Sequence, residues 1–226
     1  TIEFNRKLEN IFIKKLKKIN PDNKKIINIY LRQKGRDNRC GSSIQEWEKV
    51  MYYLIKNDYC IFLTGDIHLN RFSKGIRKKI FSFNNFKLSK NIFSISAPYF
   101  CDYCISENGG GSWFGMIMNK PTLMVNCWQF YGSSGGPGYY LLFKNLKSQK
   151  TKKIIPLVKS LKQYFWKKEI PKYTFLENNT SEQIIQGFED LLKKNNLILF
   201  KDIKSETKYS WASATNSLLV SSNNIY

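Results

Sequence analysis

Apolar residues change their period several times along this 226-residue chain, and each change marks an element. Over residues 2–19, Leu8, Ile11, Phe12, Leu16 and Ile19 recur near the helical period with lysines between them, which predicts an amphipathic helix. Pro21-Asp22-Asn23 ends it. Residues 26–31 (Ile-Ile-Asn-Ile-Tyr-Leu) then form a short apolar run, the pattern of a buried strand. A polar loop follows from Arg32 to Ser43. Ser42 and Ser43, each with Gln45 or Glu46 three residues on, offer capping boxes in two registers. The helix they open carries Ile44, Trp47, Val50, Met51 and Leu54 on one face and stops near Asn57-Asp58. Residues 59–64 read as a second strand, closed by Gly65-Asp66. Strand, helix and strand in this compass are the size of one βαβ unit.

The second half repeats the alternation. Residues 67–90 read as a basic connector, helical around 71–81, and residues 91–95 as a third strand. A strand over 103–106, a helix over 112–119, a Lys120-Pro121 break and a strand over 122–126 follow. Residues 131–138 read as a glycine-rich loop bordering a crevice, and 139–143 as another strand. Thr180 and Gln183 form a capping box for a helix burying Ile184, Phe188, Leu191 and Leu192. The order predicts a three-layer, Rossmann-like α/β domain with a mostly parallel sheet over residues 24–200. Residues 1–23 read as an N-terminal helix and linker, and 201–226 as a peripheral tail.

Chemistry concentrates between the strands at 103–106 and 122–126. Glu107-Asn108-Gly109-Gly110-Gly111-Ser112 lets the backbone approach a ligand closely, and the helix after it turns N–H groups back on the turn. That arrangement suits a phosphate or another anion. The plainer alternative is a tight connecting loop with no ligand.

Charge and cysteines alter the picture less. The formal charge is +20, from 37 Lys and Arg against 17 Asp and Glu. Only six of the 37 are Arg, and Lys, Asn and Ile are all abundant, so a compositional origin is favoured over a polyanion partner. Aromatics do not interleave with the lysines as in RNA-binding motifs, which argues against nucleic acid. The five cysteines are odd in number, and the lone Cys101-x-x-Cys104 has only His68 to complete a metal set. Small core thiols in a reducing cytoplasm are the expectation, with no metal. No apolar run is long enough to span a bilayer. A chain that begins with Thr1 is expected to be a fragment or a processed product.

Four features in order resemble the C-terminal, donor-binding half of GT-B glycosyltransferases, most nearly a group encoded in bacterial surface-polysaccharide loci. They are the strand leading to Arg32-Gln33 and Arg36-Asp37-Asn38-Arg39, the strand ending in Gly65-Asp66, the turn, helix and Lys-Pro strand over 106–126, and the helix start at Asn179-Thr180-Ser181-Glu182. The chain departs from that pattern at Arg32-Gln33, where Arg-Asp or Arg-Glu is usual, and at Gly109-Gly110-Gly111, where Ser-Gly is usual. The resemblance implies sugar transfer from a nucleotide-activated donor to a surface-glycan or lipid-linked acceptor, with no further cofactor. It implies that Asn108, Gly109, Gly110, Gly111 and Ser112 cradle phosphate or ribose and that Arg32 and Arg39 supply positive charge. Glu107 would accept hydrogen bonds from donor hydroxyls, and Gly65-Asp66 would shape the crevice and hold a sugar or ribose hydroxyl. The acceptor half, and with it the catalytic base, would lie outside this stretch.

Three alternatives stay open on the residues. Arg32 could pair with Asp66 or Glu107 as structure only. A nucleotide-sugar epimerase of the same fold would want more cleft histidines than His68 alone. A basic α/β module binding nucleic acid or an anionic membrane would use the lysines, and peripheral contact with the inner membrane is also compatible with sugar transfer.

Overall fold

In the computed structural model, residues 5–32, 43–127, 139–155, 172–193, 197–199 and 219–221 are described. Helix α1 (Arg6–Ile19) starts at Asn5, whose side chain accepts from the Lys7 and Leu8 N–H groups. Strand β1 (Ile26–Leu31), helix α2 (Ile44–Lys56) and strand β2 (Cys60–Gly65) form the βαβ unit the apolar pattern predicts. Strands β1 and β2 pair in parallel from Ile26↔Cys60 to Leu31↔Gly65.

The connector differs from expectation. It breaks into helix α3 (Lys74–Arg77), the two-residue strand β3 (Ile80–Phe81) and helix α4 (Phe83–Phe86). The strand expected at 91–95 is part of helix α5 (Lys90–Phe100). It buries Phe93, Ser96 and Ala97, a helical spacing hidden by the short window, and the Ser89 hydroxyl caps it through the Ile92 N–H.

Strand β4 (Tyr103–Glu107), helix α6 (Trp113–Ile117) and strand β5 (Thr122–Cys127) follow, and α6 is a turn and a half rather than the expected eight residues. Strands β6 (Tyr139–Phe143), β7 (Asn145–Ser148) and β8 (Thr174–Glu177) lead to helix α7 (Ser181–Lys193). The Thr180–Gln183 capping box forms as predicted: the Gln183 N–H donates to Thr180 Oγ1 and the Thr180 N–H to Gln183 Oε1. Strands β9 (Leu197–Leu199) and β10 (Leu219–Ser221) complete the described elements.

The main sheet has the order β3-β2-β1-β4-β5-β6-β10-β9, parallel except for the β10–β9 pair, and β7–β8 form a separate antiparallel ribbon. Part of the stretch read as a peripheral tail thus lies inside the sheet, because β10 pairs in parallel with β6. The first six strands have the order of a doubly wound Rossmann sheet.

Side chains alternate between two cores, as a pleated sheet requires. Ile27, Ile29, Leu31, Ile61, Leu63 and Ile105 face α2 and α7, which bring in Trp47, Val50, Met51, Leu54, Ile184 and Phe188. Ile26, Cys60, Phe62 and Cys104 face α1, α4 and α5. There the Phe12 ring stacks on Phe86 at 4.3 Å and on Phe100 at 4.4 Å. Each such buried ring contributes about 1.5–3 kcal/mol by burial alone. Helix α6 lies on this second face too, since a Cβ at Gly115 would meet Thr122 Oγ1 at 2.6 Å and Cys104 Sγ at 3.0 Å.

Candidate functional site

The order of the strands reverses between β1 and β4, and in open α/β sheets the crevice at such a switch point takes the ligand. Its floor is built by the residues that leave the carboxyl ends of β1, β2, β4 and β5. Arg32 follows β1, Gly65-Asp66 close β2, Glu107 ends β4 and the glycine turn comes next. Most of the sequence-predicted site residues therefore meet here. Arg39 and the 131–138 loop lie outside the described residues.

Gly65 is the most constrained glycine of the site. Its φ is +99°, and a Cβ there would lie 1.9 Å from the Leu31 carbonyl oxygen. The turn lets the Asp66 N–H donate to that same oxygen at 2.9 Å. The Asp66 carboxylate reaches solvent and sits 3.5 Å from Lys90 Nζ, so its cationic partner is Lys90 rather than Arg32.

Glu107 is 1% exposed, and its carboxylate is occupied from within. Oε2 accepts the Arg32 N–H at 2.8 Å, while Oε1 accepts from Trp47 Nε1 at 3.4 Å and from Asn126 Nδ2 at 3.5 Å. A side chain expected to receive donor hydroxyls instead ties the ends of β1 and β5 to α2. A desolvated carboxylate needs several such donors.

Asn126 was not singled out by sequence, yet it organises the far wall. It takes a left-handed conformation, φ 55°, where β5 and β6 lose register, and Asn tolerates that region better than most residues. Its backbone N–H donates to Asn179 Oδ1 and its own Oδ1 accepts the Asn179 N–H, both at 2.7 Å. Asn179 Nδ2 donates to the Phe143 carbonyl. The only sequence signal was Asn next to a capping box, which a loop would also show.

The three glycines are not equivalent. A Cβ at Gly111 would lie 2.1 Å from the Tyr30 ring, and one at Gly109 would lie 2.6 Å from Arg32 Cδ. Those two positions are small so that Tyr30 and Arg32 can lie against the turn. At Gly110 nothing approaches within 4 Å of a Cβ position, so this is the open rim of the turn. The Ser112 hydroxyl, expected to reach a ligand, donates to the Gly109 carbonyl at 2.5 Å and is buried. Arg32 Nη1 donates to the Asn108 carbonyl at 3.4 Å, a long bond that leaves most of the guanidinium fork uncommitted to it. Burial pushes the Tyr30 phenol above its ordinary value, so it is protonated at neutral pH.

Beside the β2 end lies a hollow of about 80 Å³, lined by Thr64, Asp66, His68, Ser82, Asn84 and Lys90 among others. Ser82 is 4% exposed, and its hydroxyl finds no hydrogen-bond partner among the described residues. A polar ligand group entering the hollow could satisfy it. Cys101 and Cys104 sit under β4 with their sulfurs 3.4 Å apart, both buried, and burial pushes the Cys101 thiol well up. No cluster among the described residues has three or more His, Cys, Asp or Glu side chains placed to hold a metal ion. No helix among them is long and apolar enough to cross a membrane.

No protein-family model and no curated protein matches the chain. Among solved structures, the fold is similar to that of E. coli ADP-heptose LPS heptosyltransferase II, with TM-score 0.51 and 10% identity over 86% of this chain and 54% of that one. A weaker similarity is to E. coli heptosyltransferase WaaC with ADP-2-deoxy-2-fluoro heptose, with TM-score 0.42 and 12% identity over 57% of this chain and 38% of that one. The chain spans about half the length of heptosyltransferase II. At this identity the likeness is one of fold, and it agrees with the Rossmann-like sheet order.

Proposed function

We propose that this chain is the donor-binding half of a GT-B glycosyltransferase, which moves a sugar from a nucleoside-diphosphate donor to a surface-glycan or lipid-linked acceptor. The observation that carries the reading is that the Arg32 guanidinium lies against Gly109, next to the open Gly110 rim of the same turn, at the β1/β4 switch point. The similarity to heptosyltransferase II, whose name records an ADP-heptose substrate, supports it.

In sugar transfer the bond from the anomeric carbon to the diphosphate oxygen breaks, and that oxygen gains charge. A guanidinium gripping the diphosphate stabilises this charge more as it develops, which is what lowers the barrier. Backbone approach at Gly110 lets the phosphate come close to Arg32. The anion site rests more on the arginine than on a helix dipole, because α6 has only five residues. Asp66, Lys90 and Ser82 line the adjoining hollow and would meet hydroxyls of the donor. The attacking acceptor oxygen must lose a proton to a base, and in this reading the acceptor half of the enzyme provides it.

Thermal-shift and calorimetric titrations with nucleoside diphosphates and nucleotide-sugars test the proposal. Saturable stabilisation by one nucleotide is expected, lost in Arg32→Ala and in Gly110→Val. If no nucleotide or nucleotide-sugar stabilises the protein at millimolar concentration, the donor-binding reading is wrong.

A further inference from the structure

The two helical layers that cover the sheet differ in charge. Helices α1, α4, α5 and α6 together carry seven Lys or Arg and a single acid, Glu9. Helices α2, α3 and α7 on the other face carry five acids and five Lys or Arg, so that layer is neutral. Six of the seven cations are on α1: Arg6, Lys7, Lys14, Lys15, Lys17 and Lys18. Helix α1 buries Phe12 against the sheet and turns Lys7, Lys14, Lys17 and Lys18 outward.

The exposed apolar residues follow the same division. Ile11 on α1, Ile92 and Ile95 on α5, and Trp113 and Ile117 on α6 are each more than a third exposed. Their spacings place them in short stripes, Ile92 with Ile95 and Trp113 with Ile117. Helices α1 and α5 are neighbours through the Phe12–Phe93 and Phe12–Phe100 stacks, and α5 contacts α6. Among the described residues of the opposite helices, only Tyr52 and Leu192 are large, apolar and exposed.

We propose that the outer surface of α1, α5 and α6 docks on an anionic lipid bilayer, with the α1 lysines on phosphate headgroups and the α5 and α6 side chains in the acyl boundary. Lysine is the cation suited to this role, since its long stem reaches a headgroup from an apolar anchor. A tryptophan at such a surface sits at headgroup depth with its ring partly in the acyl region. Nucleic acid would use the lysines but has no place for four exposed isoleucines, which decides between the two polyanions. Trp113 directly follows Ser112, so docking would hold the crevice rim next to the lipid surface. The inference rests on charge and apolar placement, independently of the sugar-transfer reading.

The test is co-sedimentation of the full chain with vesicles of phosphatidylcholine containing about one third phosphatidylglycerol, against pure phosphatidylcholine vesicles and duplex DNA. Each lysine beside an anionic bilayer strengthens binding about fivefold. Lys14→Glu/Lys18→Glu should therefore weaken vesicle binding by more than about 25-fold. Lys56→Glu/Lys193→Glu changes the net charge equally on the opposite face and should weaken it only a few-fold. Ile95→Asp should also lower binding, and Trp113 emission should shift to the blue on binding, a shift lost in Trp113→Phe. Equal losses from both lysine pairs would show that bulk charge alone is responsible and overturn the proposal. So would DNA binding with no vesicle binding, or self-association through this face that Ile95→Asp abolishes in the absence of lipid. Circular dichroism of each variant separates a lost surface from a lost fold.

Discussion

Alanine in place of each site glycine separates the glycines that shape the protein from the one that faces a ligand. At Gly111 a methyl group would overlap the Tyr30 ring, 2.1 Å from its nearest carbon, and a half-buried ring between strand and turn has little room to retreat. Overpacking of this kind costs about 1–3 kcal/mol. For a chain of this size that lowers Tm by roughly 2–12 °C. Gly65→Ala should cost more, because strain at φ +99° adds to the clash with the Leu31 carbonyl. Gly109→Ala meets only the flexible Arg32 side chain, so it should cost less than about 1 kcal/mol while moving the guanidinium. Gly110→Ala meets nothing within 4 Å, and Gly110 is not among the described glycines of positive φ. It should leave stability unchanged or raise it by up to about 1 kcal/mol, by restricting the unfolded chain. Urea unfolding of the four variants gives the order, and nucleotide titration of Gly109→Ala and Gly110→Ala gives the functional arm, where both should bind more weakly. A Gly110→Ala protein as unstable as Gly111→Ala would refute the assignment of Gly110 to the open rim. Stable Gly109→Ala and Gly110→Ala proteins with undiminished nucleotide affinity would refute the assignment of the turn to the ligand.

Three further outcomes follow from the geometry. Glu107→Gln should destabilise the fold by about 2 kcal/mol in urea, since an amide NH2 would replace an oxygen that now accepts a hydrogen bond, and no orientation suits all three donors. The Glu46 carboxyl is held down at about 2 by its bond to Lys49 and by the Ser181 N–H at the start of α7. Because its folded value lies below its unfolded one, its contribution is full above about pH 4.5 and lost as the pH falls toward 2; urea midpoints across that range should fall less steeply in Glu46→Gln. Burial pushes the Cys60 thiol up to about 12, so iodoacetamide at pH 8 should leave it unmodified until the chain is unfolded, as peptide mapping would show.

Much of the framework was legible because strand and helix periods differ so clearly in this chain. Strand β1 over residues 26–31, α2 with Trp47 and Leu54 inward, and the Thr180–Gln183 cap all match their patterns. Residues 91–95 misled because Asn-Ile-Phe-Ser-Ile is short enough to satisfy both periods. Only the Ser89 cap and burial through Ala97 reveal the helix. The site was legible as a place and less so as a set of contacts. Glycine in a turn signals either a ligand or a neighbouring side chain, and only tertiary structure shows that Tyr30 crowds Gly111 while Gly110 is open. A glutamate at a strand end reads as a candidate ligand in sequence. Its burial beneath Arg32, Trp47 and Asn126 depends on residues far away in the chain.

Those distant contacts explain how the crevice can be both open and rigid. Glu107 joins the ends of β1 and β5 to α2, Asn126 and Asn179 join β5 to the start of α7, and Glu46 joins α2 to the same helix through the Ser181 N–H at 2.6 Å. The chain of bonds closes a ring behind the crevice on the α2/α7 side. Arg32 projects from that ring by its side chain while its backbone N–H is held within it. Arg32 and Asp66 thus stand on backbone whose own N–H groups are held, by Glu107 and by the Leu31 carbonyl. Preorganisation of this kind spares a ligand the entropy of ordering the loops around it. It also divides the effects of mutation. Changes in the ring should lower stability and ligand affinity together, whereas Arg32→Ala should lower affinity alone. A parallel loss of stability in Arg32→Ala would mean that the guanidinium belongs to the ring, and the crevice would then need a different cation.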